Sequence, residues 1–386
     1  VTRLPNSMSL MQPHAEVADG SLPLDKGQLR SPLVWLLLDD RPGHTTQVVG
    51  LAEALGWDYE SKALYFNFLN RISNRLLASK RLSLDTGRSS ELAPPWPDIV
   101  IAMGRRTAPI ARWVKRQSGN RTRLVQLGRK AANVAGDFDL AVACAHFQLP
   151  PHPRRIDVLL PPTQVTTARL KKARDQWPGL FGDSPRPRIA MLIGGTTAHH
   201  RLTPQTAKRM AVEVQAFAES LGGTLICVTS RRSGAAVEEA LKKGAPEARQ
   251  HFWRRDAREN PYLGYLAQAD ILVVTGESES MLAEAADAAG LLYIYPIPAR
   301  PASLRDRLAG QVSAASRGDG VLAGFCRKLI HGGLVVPPRD LNLMHRGMIE
   351  AGIAQRFGSP PAPAATEPGP GLSDLIQRIR LLLEVR

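Results

Sequence analysis

One repeated pattern constrains this chain more than any other feature. Short apolar runs, most of them ending at glycine, proline or a hydroxyl residue, alternate with stretches of helical spacing. "LVWLLL" (Leu33 to Leu38) is followed by Val48, Leu51, Ala52 and Leu55 at helical intervals, and then by Gly56 in the C′ position. "DIVIAMG" (Asp98 to Gly104), "TRLVQLG" (Thr122 to Gly128), "FDLAVACAHF" (Phe138 to Phe147) and "IDVLLPP" (Ile156 to Pro162) continue the series. Runs so short and so continuously apolar suit strands covered on both faces. Their alternation with helices predicts βαβ units and a mainly parallel sheet. After "GDSPRPR" (Gly182 to Arg188) the pattern restarts with "IAMLIGG", "TLICVTS" and "DILVVTG", a helix from about Ser280 to Ala289, and "LLYIYPIP". A second α/β unit is therefore expected.

At 386 residues the chain exceeds what one hydrophobic core usually organises. The expected divisions are a loosely ordered arm at 1–31, an α/β domain at 32–183, a second at 184–300, a helical segment at 301–357, a proline-rich linker at 358–371 and a terminal helix at 372–386. That last helix carries Leu375, Ile379 and Leu382 or Leu383 on one side, and it is too short to stand alone, so docking on the body is expected.

Net charge is +15, which favours phosphate in some form: nucleotide, anionic lipid or nucleic acid. Aromatic residues make up only 5% and no nucleic-acid module is recognisable, which places specific nucleic-acid binding last. Cys144, Cys227 and Cys326 are widely separated, so neither a disulfide framework nor structural zinc is expected, and a reducing compartment fits. No apolar run approaches ~18 residues, and the first 30 residues lack a signal peptide's apolar block. A cytoplasmic protein is expected, with contact at the inner face of a membrane as the extension.

Ligands of open α/β sheets bind beyond the carboxyl ends of the strands. Three such ends in the second half carry suitable chemistry. Gly194-Gly195-Thr196-Thr197 allows a backbone to approach a phosphate, with a threonine capping the next helix. Thr229-Ser230-Arg231-Arg232 offers hydroxyls and guanidinium forks. "TGESESMLAEA" places Thr275, Ser278 and Ser280 at a helix start, and Glu284 one turn in can accept the two hydroxyls of a ribose. Singly, these loops are also an ordinary turn, a solvated basic loop and a capped helix. Together they predict a nucleotide-diphosphate site. Neither Walker A nor GxGxxG occurs, which disfavours ATP hydrolysis and nicotinamide chemistry. Glu277, Glu279 and Glu284 have no histidine beside them in sequence, so a metal reading of these acids is discounted and no metal site is expected.

In the first half, Asp39-Asp40-Arg41-Pro42-Gly43-His44 also follows a strand. His44 is a candidate base, with Asp39 or Asp40 orienting it or acting instead. "MGRRTAP" repeats the arrangement with Gly104, Arg105 and Arg106. "ALYFNFLNRISNRLLASKRL" (Ala63 to Leu82) places Tyr65, Leu69, Ile72 and Leu76 in a helical stripe. Phe66, Phe68, Arg71 and Arg75 border it, which suits an anionic membrane surface; a helix packed on its own sheet is the alternative.

"RPGHTTQVVGLAEALG", "PDIVIAMGRRTAP", "FDLAVACAH", "IGGTTAHHR", "TSRR" and "NPYLGYLAQADILVVTGESESMLAEA" occur in order over roughly Val34 to Pro298. In this ordered set the chain resembles the mitochondrial fission ELM1-like family, which is similar in outline to glycosyltransferases of the GT-B type. The resemblance implies two Rossmann-like domains facing a central cleft, with a helical C-terminal extension. It implies an acceptor side at 32–183 and a nucleotide-sugar side at 184–300. Gly43 and His44 resemble the Gly-His of peptidoglycan N-acetylglucosaminyltransferases and would meet the acceptor beside Gly104 and Arg105. Gly194, Gly195, Thr196, Ser230, Arg231, Arg232, Thr275, Ser278, Ser280, Met281 and Glu284 would fall on the donor side. The implied activity is metal-independent sugar transfer with no cofactor, from a nucleotide-sugar to an acceptor at a membrane surface, with His44 or Asp40 as base. The implied partners are the nucleotide-sugar and an anionic membrane surface or lipid-linked acceptor. The alternative is a non-enzymatic, membrane-associated adaptor, the role that gives the family its name.

Overall fold

Each apolar run forms a strand, and every strand pair is parallel. In the first lobe these are β1 (Val34–Leu38), β2 (Tyr59–Ala63), β3 (Ile99–Met103), β4 (Arg123–Leu127), β5 (Leu140–Cys144) and β6 (Arg155–Val158). Helices α1 (Pro42–Leu55), α2 (Asn74–Leu77) and α3 (Gly104–Gln117) belong to the same lobe, and α4 (Thr167–Gln176) leads out of it. The second lobe contains β7 (Arg188–Ile193), α5 (Pro204–Ser220), β8 (Thr224–Thr229), α6 (Ala235–Gly244), β9 (Arg249–His251), α7 (Tyr262–Gln268), β10 (Ile271–Thr275), α8 (Glu279–Ala286) and β11 (Leu291–Tyr295). Helices α9 (Leu304–Ala315), α10 (Val321–His331) and α11 (Leu341–Glu350), strand β12 (Gln355–Arg356) and helix α12 (Leu372–Glu384) complete the chain. The computed structural model describes residues 31–72, 74–128, 134–288, 290–360 and 371–384, without the side chains of Pro42 and Arg75. Contacts separate residues 1–31 from 32–386, and all that follows concerns the second unit. The expected arm, apart from Ser31, and most of the proline-rich linker lie outside the described residues.

Strand order is β2-β1-β3-β4-β5-β6 in one sheet and β12-β11-β10-β7-β8-β9 in the other. The chain leaves β1 in one direction for β2 and returns on the other side for β3. It leaves β7 toward β8 and returns on the other side for β10. Each sheet therefore has one switch point where the two following loops diverge, at β1/β3 and at β7/β10. A crevice opens at such points because neighbouring crossovers go to opposite faces.

Side-chain alternation assigns the two faces of each sheet. Val34 and Leu36 pack with Val48, Leu51 and Leu55 of α1, while Trp35 and Leu37 pack with Ile110 and Val114 of α3. Leu375 and Ile379 of α12 are fully buried on the α1 face, so the terminal helix returns to the first lobe as its apolar stripe requires. In the second lobe Ala190 and Leu192 face Leu266, Leu282, Met344 and Met348, and Met191 faces Met210 and Val214. Val165, Leu170 and Phe181 also belong to this second core. The segment before the expected boundary at 183/184 thus packs with the second lobe, because α4 lies against α7.

Three strands had no sequence signal: β2, β9 and β12. All three are edge strands, and β2 reads "YESKA" with mostly exposed side chains. An edge strand is covered on fewer sides and need not be apolar.

The helix expected over Ala63 to Leu82 does not form. That segment holds the end of β2, a single 3-10 turn at Phe68–Arg71 and the one-turn α2. Asn67 breaks it: its side chain accepts from Leu69 N–H and donates to Leu82 O, so a local turn replaces helical bonding. Tyr65, Leu69, Ile72 and Leu76 make no continuous stripe. Phe66 packs against the core of the first lobe, whereas Phe68 is 79% exposed and Arg71 is also exposed. Arg75's side chain is outside the described atoms.

Candidate active site between the lobes

The two switch points face each other. A cleft of about 890 Å³ is lined on the first-lobe side by Gly43 and Thr46, and on the second by Ser230, Arg231, Arg232 and the start of α8 from Glu277 to Met281. A Cβ placed on Gly43 would lie 3.7 Å from Ser280 Oγ, so helix starts α1 and α8 approach across the cleft.

On the first side, His44 is oriented by Asp39. His44 Nδ1 is 2.9 and 3.0 Å from the two carboxylate oxygens of Asp39, whose side chain is almost wholly buried. A carboxylate in that position favours the tautomer with the proton on Nδ1 and leaves Nε2 as an acceptor. Gly104 makes room for the ring: its φ is +85°, and a Cβ there would lie 2.7 Å from His44 Cε1. Asp40 has another role. It is exposed and pairs with Arg106 at 2.8 Å, one residue too far along to reach the ring. Arg105 is turned to its own lobe, where its guanidinium donates to the carbonyls of Asn70 and Ile72. Burial lowers its pKa, and it staples the 70–74 loop instead of facing an acceptor.

On the second side the three loops are lashed together. Gly194 N–H donates to Thr275 Oγ1 at 2.9 Å, and Gly195 N–H donates to Glu277 Oε1 at 2.6 Å. Ser230 Oγ donates to Gly194 O, and Arg232 Nη2 donates to Ser278 Oγ at 3.2 Å. Both glycines are sterically required. A Cβ on Gly194 would sit 2.1 Å from Glu277 Oε1, and one on Gly195 (φ +142°) would sit 2.3 Å from Arg232 O. Thr275 is wholly buried and structural. Thr196 Oγ1 bonds Leu202 instead of capping a helix; the next helix, α5, begins at Pro204 and is capped by Thr203. No side chain caps α8, so its first-turn N–H groups and positive end face the cleft beside Ser278, Ser280 and Met281.

Glu277 does not confront the cleft as an extra charge. Its carboxylate turns inward onto Gly195 and Thr275, and burial raises its pKa. Glu284 lines the cleft and accepts from Tyr262 OH at 2.9 Å; burial pushes its carboxyl up to about 7. Sequence reasoning missed Tyr262, His345 and Trp253. His345 Nε2 donates to Gly276 O at 2.8 Å and holds the β10 loop from α11, while Trp253 adds an aromatic wall. Trp253 and His345 lie in no quoted motif, and Tyr262, though within "NPYLGYLAQAD", had no role assigned to it; packing alone brings Tyr262 and Trp253 to the cleft and His345 to the loop behind it.

The model of the family described as mitochondrial fission ELM1 matches residues 42–314, most of the chain and both sides of the cleft. The chain belongs to the mitochondrial fission ELM1 family. Among curated relatives, the mitochondrial fission protein ELM1 of Arabidopsis thaliana is 24% identical over 51% of this chain and 51% of its own length. This chain thus spans about half of that relative. An uncharacterized protein of Rickettsia prowazekii (strain Madrid E), RP120, is 23% identical over 69% of this chain and 83% of its own. Among solved structures, the UDP-glucosyltransferase of Polygonum tinctorium has a TM-score of 0.44 at 10% identity, covering 92% of this chain and 99% of that one. The S. aureus MnaA–UDP structure has 0.42 at 10% identity, covering 83% and 96%. Two parallel sheets with opposed switch points form two Rossmann-like domains facing a central cleft, with a helical C-terminal extension.

Among the described residues no helix is long and apolar enough to cross a membrane.

Proposed function

We propose that this chain transfers a sugar from a nucleotide-diphosphate sugar to an acceptor hydroxyl at a membrane surface. The observation carrying the reading is the approach of the α1 start, whose histidine is oriented by a carboxylate, to an uncapped helix start with two exposed arginines beside it. The diphosphate would lie against the start of α8 with Arg231 and Arg232 beside it, so no cation is needed for its charge. Ser230 and Ser278 would fix the loops, Glu284 would accept from the ribose, and Trp253 offers a face for the base. His44 Nε2 would take the acceptor's proton as the new C–O bond forms at the anomeric carbon. The bond from that carbon to the phosphate oxygen breaks, and its electron pair leaves on the nucleotide. Asp39, not Asp40, is the orienting carboxylate in this scheme.

The membrane part of the reading rests on Phe68, Leu76 and Leu82, which are 79%, 75% and 56% exposed amid exposed Arg71, Lys80 and Arg81. The same surface favours the second reading, a non-enzymatic adaptor docking at membranes. Calorimetric titration with uridine and guanosine diphosphates separates the two. Binding of either that is lost in Arg231→Ala/Arg232→Ala supports transfer. A folded chain that binds neither, yet sediments with anionic vesicles through Phe68 and Arg71, establishes the adaptor.

A further inference from the structure

A second cluster lies at the junction of the lobes and plays no part in the scheme above. Cys144 ends β5 and His146 lies in the turn after it, both in the first lobe; Glu279 opens α8 in the second. The Cys144 thiol, a ring nitrogen of His146 and a carboxylate oxygen of Glu279 all lie within 4.8 Å of one another. His146 Nε2 stands 3.3 Å from Glu279 Oε1. Two bonds of about 2.0–2.3 Å at a tetrahedral angle place donor atoms roughly 3.3–3.7 Å apart, so this pair already has ligand spacing and the thiol needs to move by roughly 1.5 Å at most.

His146 supplies the independent observation. Its side chain is completely buried, and neither ring nitrogen makes a hydrogen bond among the described residues. A buried imidazole without hydrogen bonds is costly unless something at its nitrogen compensates. Arg339 does not fill this place: it engages the other oxygen of Glu279, Oε2, at 3.0 Å and rests over the Phe147 ring. That contact orients the carboxylate with Oε1 toward His146, as an outer partner does for a metal ligand.

We propose that Cys144, His146 and Glu279 bind one thiophilic divalent cation of the zinc class and that this cation clamps the two lobes. Thiolate, imidazole and carboxylate together select zinc-like ions over magnesium or calcium. Binding displaces the thiol proton. Separation in sequence hid the site, since its thiol and imidazole lie more than a hundred residues before its carboxylate.

The test uses the full chain after chelator treatment and dialysis, titrated with Co²⁺ as a spectroscopic substitute and then with Zn²⁺. One equivalent should bind, with a thiolate-to-cobalt charge-transfer band that Zn²⁺ removes. Cys144→Ser should abolish the band, while Cys227→Ser and Cys326→Ser retain it. His146→Asn and Glu279→Gln should each weaken binding by at least about 10-fold. Circular dichroism checks that each variant is folded; if Cys144→Ser is not, Glu279→Gln at the cleft edge carries the test. A folded wild-type chain without the band, or a band undiminished in Cys144→Ser or Glu279→Gln, overturns the proposal. Because nucleotide titration is a separate measurement, either reading can fail alone.

Discussion

Substituting Glu284→Gln should stabilise the protein at pH 8.5 and not at pH 5.5. Glu284 is partly buried beside Tyr262, and burial moves its carboxyl from 4.5 to about 7. A raised carboxyl pKa means that the folded state holds the proton more tightly than the unfolded one. Its favourable contribution is complete below about 4.5 and is lost as pH rises through about 7. At 1.36 kcal/mol per pKa unit, that difference corresponds to about 3 kcal/mol against the ionised form. Glutamine keeps an oxygen for the Tyr262 hydroxyl and removes the ionisation, but its amide introduces donors that cost about 1 kcal/mol where unsatisfied. The variant should therefore be about 2 kcal/mol more stable than wild type at pH 8.5, and about equal to it at pH 5.5, where about 1.4 kcal/mol of ionisation cost and the cost of the amide nearly cancel. Urea unfolding of both proteins at the two pH values reads this directly, because every other titrating group cancels in the difference. The same ΔΔG at both pH values, or a variant less stable at pH 8.5, refutes the argument. If the ionised carboxylate accepts the ribose hydroxyls, uridine diphosphate should also bind more tightly to wild type as pH rises through about 7, with that rise absent in the variant.

Three further outcomes are expected. Asp39→Asn and His44→Ala should each reduce transfer about 10²–10⁴-fold with nucleotide affinity unchanged, whereas Asp40→Asn stays near wild type in initial rate measurements. Gly104→Ala should reduce transfer without altering nucleotide binding, because a Cβ 2.7 Å from His44 Cε1 pushes the ring off Asp39; the pH–rate profile should show the displaced base. Ile379→Ala should destabilise the chain by about 2–5 kcal/mol in urea unfolding, since α12 buries that side chain completely in the first core.

Much of this was legible in the sequence. Strands covered on both faces must be apolar throughout, so β1, β3, β4, β5, β7, β8, β10 and β11 stood out as runs. Gly194 and Gly195 were legible because close backbone packing admits nothing larger, and the Ser230–Arg232 loop because its chemistry follows a strand end. The sequence could not distinguish Asp39 from Asp40: adjacent residues of the same type differ only in which way the turn directs them. Nor could it show that Arg105 faces its own lobe or that Glu277 turns inward. The helix expected at 63–82 failed for a related reason, since spacing alone does not register that Asn67 offers a competing local turn.

Local sequence thus determined the elements and the identity of the loops that end them, because both follow from near-neighbour sterics and from burial. Which loops meet was decided by tertiary structure. Strand order places the turns after β1 and β3 side by side, and those after β7 and β10. Lobe packing then brings His146 to Glu279, 133 positions later in the chain. Such contacts depend on topology and on the docking of whole sheets, and no short stretch of sequence encodes them.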